Sequence, residues 1–283
     1  MNKLKYTLIL VIFVSASAFA FAGQKIKLVI LHTNDTHSQV EPKEKSNLKT
    51  SDMGGYARRM GVINKIRSEE QNVLLFDSGD FCQGTPYFNF FNGRVEIDAM
   101  NRMQYDAGTI GNHEFDNGMD TLAVILSNAK FPIISSNYDL SKTPLASYIE
   151  PYKIIKKAGL RIGVMALDVN PESLIFQKNY AGLIYKNPVE KARQMSEYLK
   201  RGQKCDLIIC LSHLGSDSTS TTVNDFVIAH KTRYINVILG GHTHTMLENV
   251  KTNNAAGHKV IIAQMGKSGL YLGRIDIEME KKM

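Results

Sequence analysis

The chain has 283 residues, a formal net charge of +7 at pH 7, 43% hydrophobic residues, three cysteines and no tryptophan. This is the composition of an ordinary globular protein without low-complexity tracts, and three cysteines cannot all pair within one chain or make a zinc-finger spacing. The positive excess is scattered (Lys43/Lys45, Arg58/Arg59, Lys156/Lys157, Lys281/Lys282) with no basic stripe, so nucleic-acid binding is not expected.

In chain order, the basic Met1–Lys5, the apolar Tyr6–Val14 and the small residues ending Ala20-Phe21-Ala22-Gly23 read as a secretory signal peptide. Ala18-Phe19-Ala20 offers a second cut. The expected organisation is a leader over residues 1–22 and one domain over 23–283, in a secreted or periplasmic protein. The apolar run is too short for a good membrane span, so none is expected after cleavage. The mature chain of about 260 residues can bury one large core or two small ones. Cys205 and Cys210 flank the start of a strand-like run and read as small buried hydrophobes, although export would permit one disulfide.

Ile26–Leu31 is a β-branched apolar run read as a buried strand, and it ends in His32-Thr33-Asn34-Asp35-Thr36-His37. Gln39–Asp52 is a polar loop, and Gly54–Glu70 carries apolar residues at helical spacing. The strand Val73–Phe76 runs into Asp77-Ser78-Gly79-Asp80. An irregular stretch with Gly84-Thr85-Pro86 follows, then a helix around Val95–Met103. Ala107–Ile110 is strand-like and precedes Gly111-Asn112-His113-Glu114-Phe115-Asp116. A helix over Asp120–Ala129 and a strand over Pro132–Ser135 come next. Tyr152–Lys157 and Leu160–Leu167 flank Ala158-Gly159 as a hairpin, and Asn187-Pro188 opens a helix to about Arg201. Leu207–Leu211 is a buried strand ending in Ser212-His213. After a helix near Thr222–His230, the strand Ile235–Leu239 ends in Gly240-Gly241-His242-Thr243-His244. Strands over Lys259–Gln264 and Leu272–Glu280 close a mixed α/β chain with more than one sheet.

Ligand sites in such folds collect where strands end. Five strand ends here carry metal-type donors: Asp35/His37, Asp80, Asn112/His113, His213 and His242/His244. The other three histidines differ. His32 reads as a supporting hydrogen-bonder, His230 ends an amphipathic helix where a cation suits the dipole, and His258 sits in a turn. Desolvating so many polar groups in one crevice is costly without cations to pair with them. Imidazole, carboxylate and carboxamide without thiolate suit Zn²⁺, Mn²⁺, Fe²⁺ or a similar ion. There are too many donors for one tetrahedral site, and two ions sharing a carboxylate would use them all. Asp116 follows His113 by three residues and can reach back to it.

Asp35-Thr36-His37, Gly79-Asp80, Gly111-Asn112-His113-Glu114, Ser212-His213 and Gly241-His242-Thr243-His244 resemble the five blocks of the calcineurin-like metallophosphoesterases. Leu31-His32-Thr33-Asn34-Asp35, Gln83-Gly84-Thr85-Pro86 and Asn112-His113-Glu114-Phe115-Asp116 resemble, more narrowly, the 5′-nucleotidase family. The resemblance implies a four-layer α-β-β-α sandwich of two mixed sheets flanked by helices. It implies that Asp35, His37, Asp80 and His244 hold one divalent ion and Asp80, Asn112, His213 and His242 the other. A metal-bound hydroxide would attack the phosphoryl group, while His113, oriented by Asp116, stabilises the transition state or protonates the leaving oxygen. Asn112 and His113 would touch the substrate, a small phosphate ester expected to be a nucleotide. The alternatives are another ester, acted on as phosphodiesterase or phosphatase, and a catalytic subunit needing a separate nucleotide-binding chain. The family's C-terminal nucleotide-binding domain is not expected within residues 23–283.

Overall fold

A computed structural model describes residues 24–281 apart from 47, 218, 220 and 221; the expected leader lies outside the described residues. The first half runs β1 (Gln24–Thr33), α1 (Tyr56–Glu69), β2 (Val73–Asp77), α2 (Pro86–Phe91), α3 (Arg94–Met103), β3 (Ala107–Gly108), α4 (Gly118–Leu126), β4 (Ile133–Ile134), β5 (Tyr138–Asp139) and β6 (Ile149–Glu150). The second runs β7 (Tyr152–Lys157), β8 (Leu160–Leu167), β9 (Ile184–Tyr185), α5 (Pro188–Glu197), β10 (Leu207–Ser212), α6 (Asp225–Lys231), β11 (Val237–Leu239), β12 (Met246–Asn253), β13 (Lys259–Met265) and β14 (Gly273–Lys281).

Two six-stranded sheets form, ordered β14-β1-β2-β3-β4-β6 and β12-β13-β11-β10-β8-β7, with β5 and β9 as a separate pair. Both are mixed. β14 is antiparallel to β1 at one edge of the first sheet, and β12 and β7 are antiparallel edge strands of the second. The alternation along β1 shows how the layers stack. Leu28 and Ile30 face the second sheet, joining Leu74, Phe76, Val164 and Ile209 in the inter-sheet core, while Val29 and Leu31 pack with Ile63, Ile97 and Leu122 under α1, α3 and α4. A third core, with Ala192, Ile208 and Ile228, sits between the second sheet and α5 and α6. Strands buried on both faces need side chains that are apolar at every position, which is why they read as continuous runs. Each fully buried Leu or Ile contributes roughly 1.5–3 kcal/mol. The expected four-layer sandwich is the observed architecture.

Local signals hold where backbone chemistry is explicit. The β7–β8 turn places Ala158 and Gly159 at positive φ (52° and 74°), the geometry a two-residue hairpin favours. Asn187 caps α5 by accepting from the Val189 and Glu190 N–H groups, with Pro188 at the first helical position. Two expectations are corrected, and one strand was not foreseen. The stretch after Gly84 read as irregular contains α2. Strand Ala107–Ile110 is regular only over β3, because beyond Gly108 the chain turns into the loop of His113. β12 escaped notice because it is an edge strand alternating between half-buried and exposed residues, with no apolar run. No helix among the described residues is long and apolar enough to cross a membrane. Cys82, Cys205 and Cys210 are all free and buried.

Strands β1, β2 and β3 run parallel, as do β10 and β11, and their C-terminal ends meet where the Ser78 hydroxyl crosses between the sheets to donate to Leu239 O at 2.7 Å.

Candidate metal centre

The residues after those five strand ends converge on one crevice between the sheets. Asp35, His37, Asp80, His242 and His244 all adopt left-handed backbone, with φ between 46° and 74°. An L-residue there is disfavoured by about 1–2 kcal/mol, so five in one crevice mark a backbone held by its surroundings for a purpose other than stability. Glycine makes the close approach feasible. A Cβ on Gly111 would overlap Asp80 and His213, and one on Gly241 would press on Ser78 O and His213.

Two donor groups share the crevice. In one, His37 Nε2 and His244 Nε2 stand 3.0 Å apart, and Asp35 Oδ1 lies 3.9 Å and 3.4 Å from them. In the other, His213 Nε2 lies 3.0 Å from Asp80 Oδ2, and His242 Nδ1 lies 3.1 Å from Asn112 Oδ1. Asp35, His37 and His244 can direct one ligand atom each to a common point, and so can Asp80, His213 and His242. A third such set, His37, Asp80 and His113, joins the two.

His213 provides the test of whether a cation fits. Its Nδ1–H donates to Ser78 O at 2.7 Å, which leaves the Nε2 lone pair facing the crevice. Nε2 is buried and, although near Asp80 Oδ2, is not aligned for a hydrogen bond. Burial disfavours an imidazolium here, yet the Asp80 and Asp35 carboxylates hold the ring well above the ordinary histidine range. The crevice therefore calls for positive charge at this point, and a divalent cation between two lone-pair donors meets the demand. Burial pushes Asp80 up, but His213 and His113 more than reverse it and hold the carboxyl low, in its ligating form. Burial, then His213, pulls His242 down to about 4, and burial also lowers His37, so both are neutral rings able to ligate. The donor set fits a divalent ion.

His113 stands at the open side. Its Nδ1 lies 2.9 Å from Asp116 Oδ2, and both side chains are about one-third exposed. The hydrogen bond to Asp116 raises the ring above its ordinary value against the effect of burial. The His113 backbone N–H donates to Asp80 Oδ1 at 2.9 Å, so the loop of His113 also braces the shared carboxylate.

Glu114, present in the hexapeptide but assigned no role, is a buried acceptor for three backbone N–H groups: Asp80 (3.0 Å), Cys82 (2.9 Å) and Gly111 (2.5 Å). Its place beside His113 was the only sequence signal. The reading of His32 is corrected. It is fully buried with neither ring nitrogen hydrogen-bonded, burial lowers it to about 4, and it packs against the Gly273 backbone, where any Cβ would overlap it. His230, at the end of α6, bonds Thr252 Oγ1 at 2.8 Å, and His258 lies in the turn closed by Asn254.

The fold and crevice are those of a known class: the calcineurin-like phosphoesterase family model matches residues 28–246, and the chain belongs to that family of metal-dependent phosphoester hydrolases. Among its relatives, a snake venom 5′-nucleotidase of Naja atra is 35% identical over 278 residues, covering 90% of this chain and 51% of that protein. The structure of a 5′-nucleotidase precursor from Thermus thermophilus superposes with a TM-score of 0.79 at 30% identity, covering 89% of this chain and 51% of that one. The calcineurin-like phosphoesterase YfkN from Bacillus subtilis superposes at 0.75 with 26% identity, covering 92% and 87%. The chain spans about half the length of the 5′-nucleotidases it matches.

Proposed function

We propose that this chain is the catalytic domain of an exported, dinuclear metal-dependent phosphoester hydrolase of 5′-nucleotidase type. The observation that carries the reading is the pair of donor groups facing each other across one crevice, with Asp80 common to the second and third sets. Asp35, His37, Asp80 and His244 would hold one ion and Asp80, Asn112, His213 and His242 the other, so that Asp80 is assigned to both. Zn²⁺, Mn²⁺, Fe²⁺ or a similar ion suits these donors. Once bound, such a pair supplies Lewis acidity and a nucleophile at neutral pH.

The chain's own groups do the rest. Asn112, which is buried, and His113, which stands at the open side, are assigned to the substrate phosphoryl group. His113, its Nδ1 engaged by Asp116, has Nε2 left to stabilise developing charge or to protonate the leaving oxygen. A nucleotide substrate is favoured by the relatives named 5′-nucleotidase. Export is favoured by the leader pattern of residues 1–22.

The test is a substrate panel on the purified chain, stripped by chelator and then supplied with Mn²⁺, Zn²⁺ or Co²⁺. Metal-dependent phosphate release from nucleoside monophosphates is expected; equal turnover with and without metal would overturn the reading. A second reading is favoured by the half of each 5′-nucleotidase relative that this chain does not match. In it the nucleoside is gripped by another domain or a separate chain, because positioning alone is worth up to ~7–11 kcal/mol of barrier. The chain by itself would then prefer a small activated aryl phosphate over a nucleotide.

A further inference from the structure

The Asp35 carboxylate accepts the His242 N–H at 3.0 Å, and a second side chain, Gln264, holds the loop carrying His242 and His244 from beneath. Strand β13 runs parallel to β11 with Leu239 opposite Ala263, and continues past the point where β11 ends. Gln264 therefore lies under the loop that follows β11, and its side chain is fully buried. Its Nε2 donates to Gly241 O at 2.9 Å and to Ser216 Oγ at 3.0 Å. Its Oε1 accepts the Thr245 N–H at 2.5 Å and the Thr243 hydroxyl at 3.3 Å. The amide can sit only one way round, because a backbone N–H can only donate and a carbonyl oxygen can only accept.

Gly241 immediately precedes His242, and Thr245 immediately follows His244. One amide thus grips both ends of a four-bond span in which both histidines hold left-handed backbone, φ 74° and 54°. Such a conformation persists only where neighbours over-determine it. Ser216 extends the grip, accepting from Gln264 and donating to Asp225 Oδ2 at 2.5 Å. Gly240 lies against this chain of bonds, where a Cβ would overlap Asp225 and Ser216.

We propose that Gln264 is a positioning residue of the metal centre: by fixing Gly241 and Thr245 it sets the direction and separation of His242 and His244, which belong to different donor groups. Among the described residues the Gln264 side chain hydrogen-bonds no donor side chain, so it acts through the loop. The inference rests on the functional reading above, and it predicts that metal affinity, rather than folding, is what Gln264 governs.

The experiment is calorimetric titration of the metal-free chain with Mn²⁺, together with thermal melting of the metal-free forms. It compares the wild type with Q264E, which keeps the shape but loses the donors, and Q264M, which loses both donors and acceptor. T232V is the control, removing a buried hydroxyl bond to Ile228 O at 2.9 Å at the end of α6. Q264E and Q264M are expected to bind Mn²⁺ ~10–100-fold more weakly, the usual effect of removing a group that orients a ligand, while T232V melts lower but binds as the wild type does. Binding by the Gln264 variants within twofold of wild type would overturn the inference alone. So would a loss of affinity in T232V that tracks its melting, or failure of both Gln264 variants to fold without metal, since either result makes the effect one of folding. A wild-type chain that takes up no divalent metal would overturn the functional reading and this inference with it.

Discussion

Glu114 accepts the backbone N–H of Asp80 at 3.0 Å, although 34 residues separate them. The carboxylate that ties down the loop after β2 thus comes from the loop after β3, and it also binds the N–H groups of Cys82 and Gly111. The left-handed turn at Asp80 (φ 54°) is held by this contact from outside its own segment.

Glu114→Gln replaces one acceptor oxygen with an amide whose hydrogens face N–H donors. The expected result is a loss of about 1–3 kcal/mol in stability, from buried N–H groups left without an acceptor. Metal affinity should fall with it, by ~10–100-fold, because Asp80 is no longer aimed. Thermal melting and Mn²⁺ titration check both; an unchanged affinity would remove Glu114 from the support of the centre.

Asp80→Asn and His213→Ala remove a negative charge and a buried nitrogen donor from the proposed ligand set. Each variant is expected to lose bound metal as well as turnover. Elemental analysis that finds two ions per chain in either variant would overturn its assignment as a ligand.

His113→Ala is expected to behave differently, keeping its metal while turnover drops ~10²–10⁴-fold, the range for a positioned acid. Asp116→Asn, which retains the ring but weakens its partner, should lower turnover by less. Wild-type turnover in His113→Ala would exclude the ring as the acid. Lost metal would make it a ligand, as its grouping with His37 and Asp80 permits.

Asp168, which belongs to neither donor group, makes a pH prediction for the metal-free chain. Its Oδ1 lies 2.8 Å from the Thr109 hydroxyl, whose oxygen is also 2.7 Å from Ile134 O, and its Oδ2 accepts from Ser135 at 2.5 Å. One hydroxyl proton cannot serve both Ile134 and Asp168, so a proton on the carboxyl completes the set. Burial, against the opposing Ser135 and Thr109 bonds and the nearby His213, pushes Asp168 up from 3.8 to about 7. The folded state then holds a proton that the unfolded state releases. The stability this contributes is complete below the unfolded value and lost as pH rises to and through about 7. Asp168→Asn mimics the protonated form without titrating. Melting of the metal-free chain should show the variant gaining on wild type from pH 5 to pH 8; a constant gap would mean that Asp168 is ionised throughout.

The α/β class with more than one sheet and the order of donors along the chain were legible in the residues, and the two-sheet sandwich in the family resemblance that their motifs carry. Parallel strands buried on both faces are apolar at every position, and the polar residues that end them, Asp35, Asp80, Asn112, His213 and His242, therefore stand out. The pairing of His113 with Asp116 was legible too, being local. Tertiary structure alone decided the rest. β12 is an edge strand with no apolar run to betray it. The unpartnered His32 and the clamps made by Glu114 and Gln264 depend on sheet order, which places residues far apart in the chain side by side. Hydrophobic pattern records which side chains are buried. It does not record which backbone groups a buried polar side chain will meet, nor that Asp35, His37, Asp80, His242 and His244 will be held left-handed, because both are imposed by neighbours from other strands.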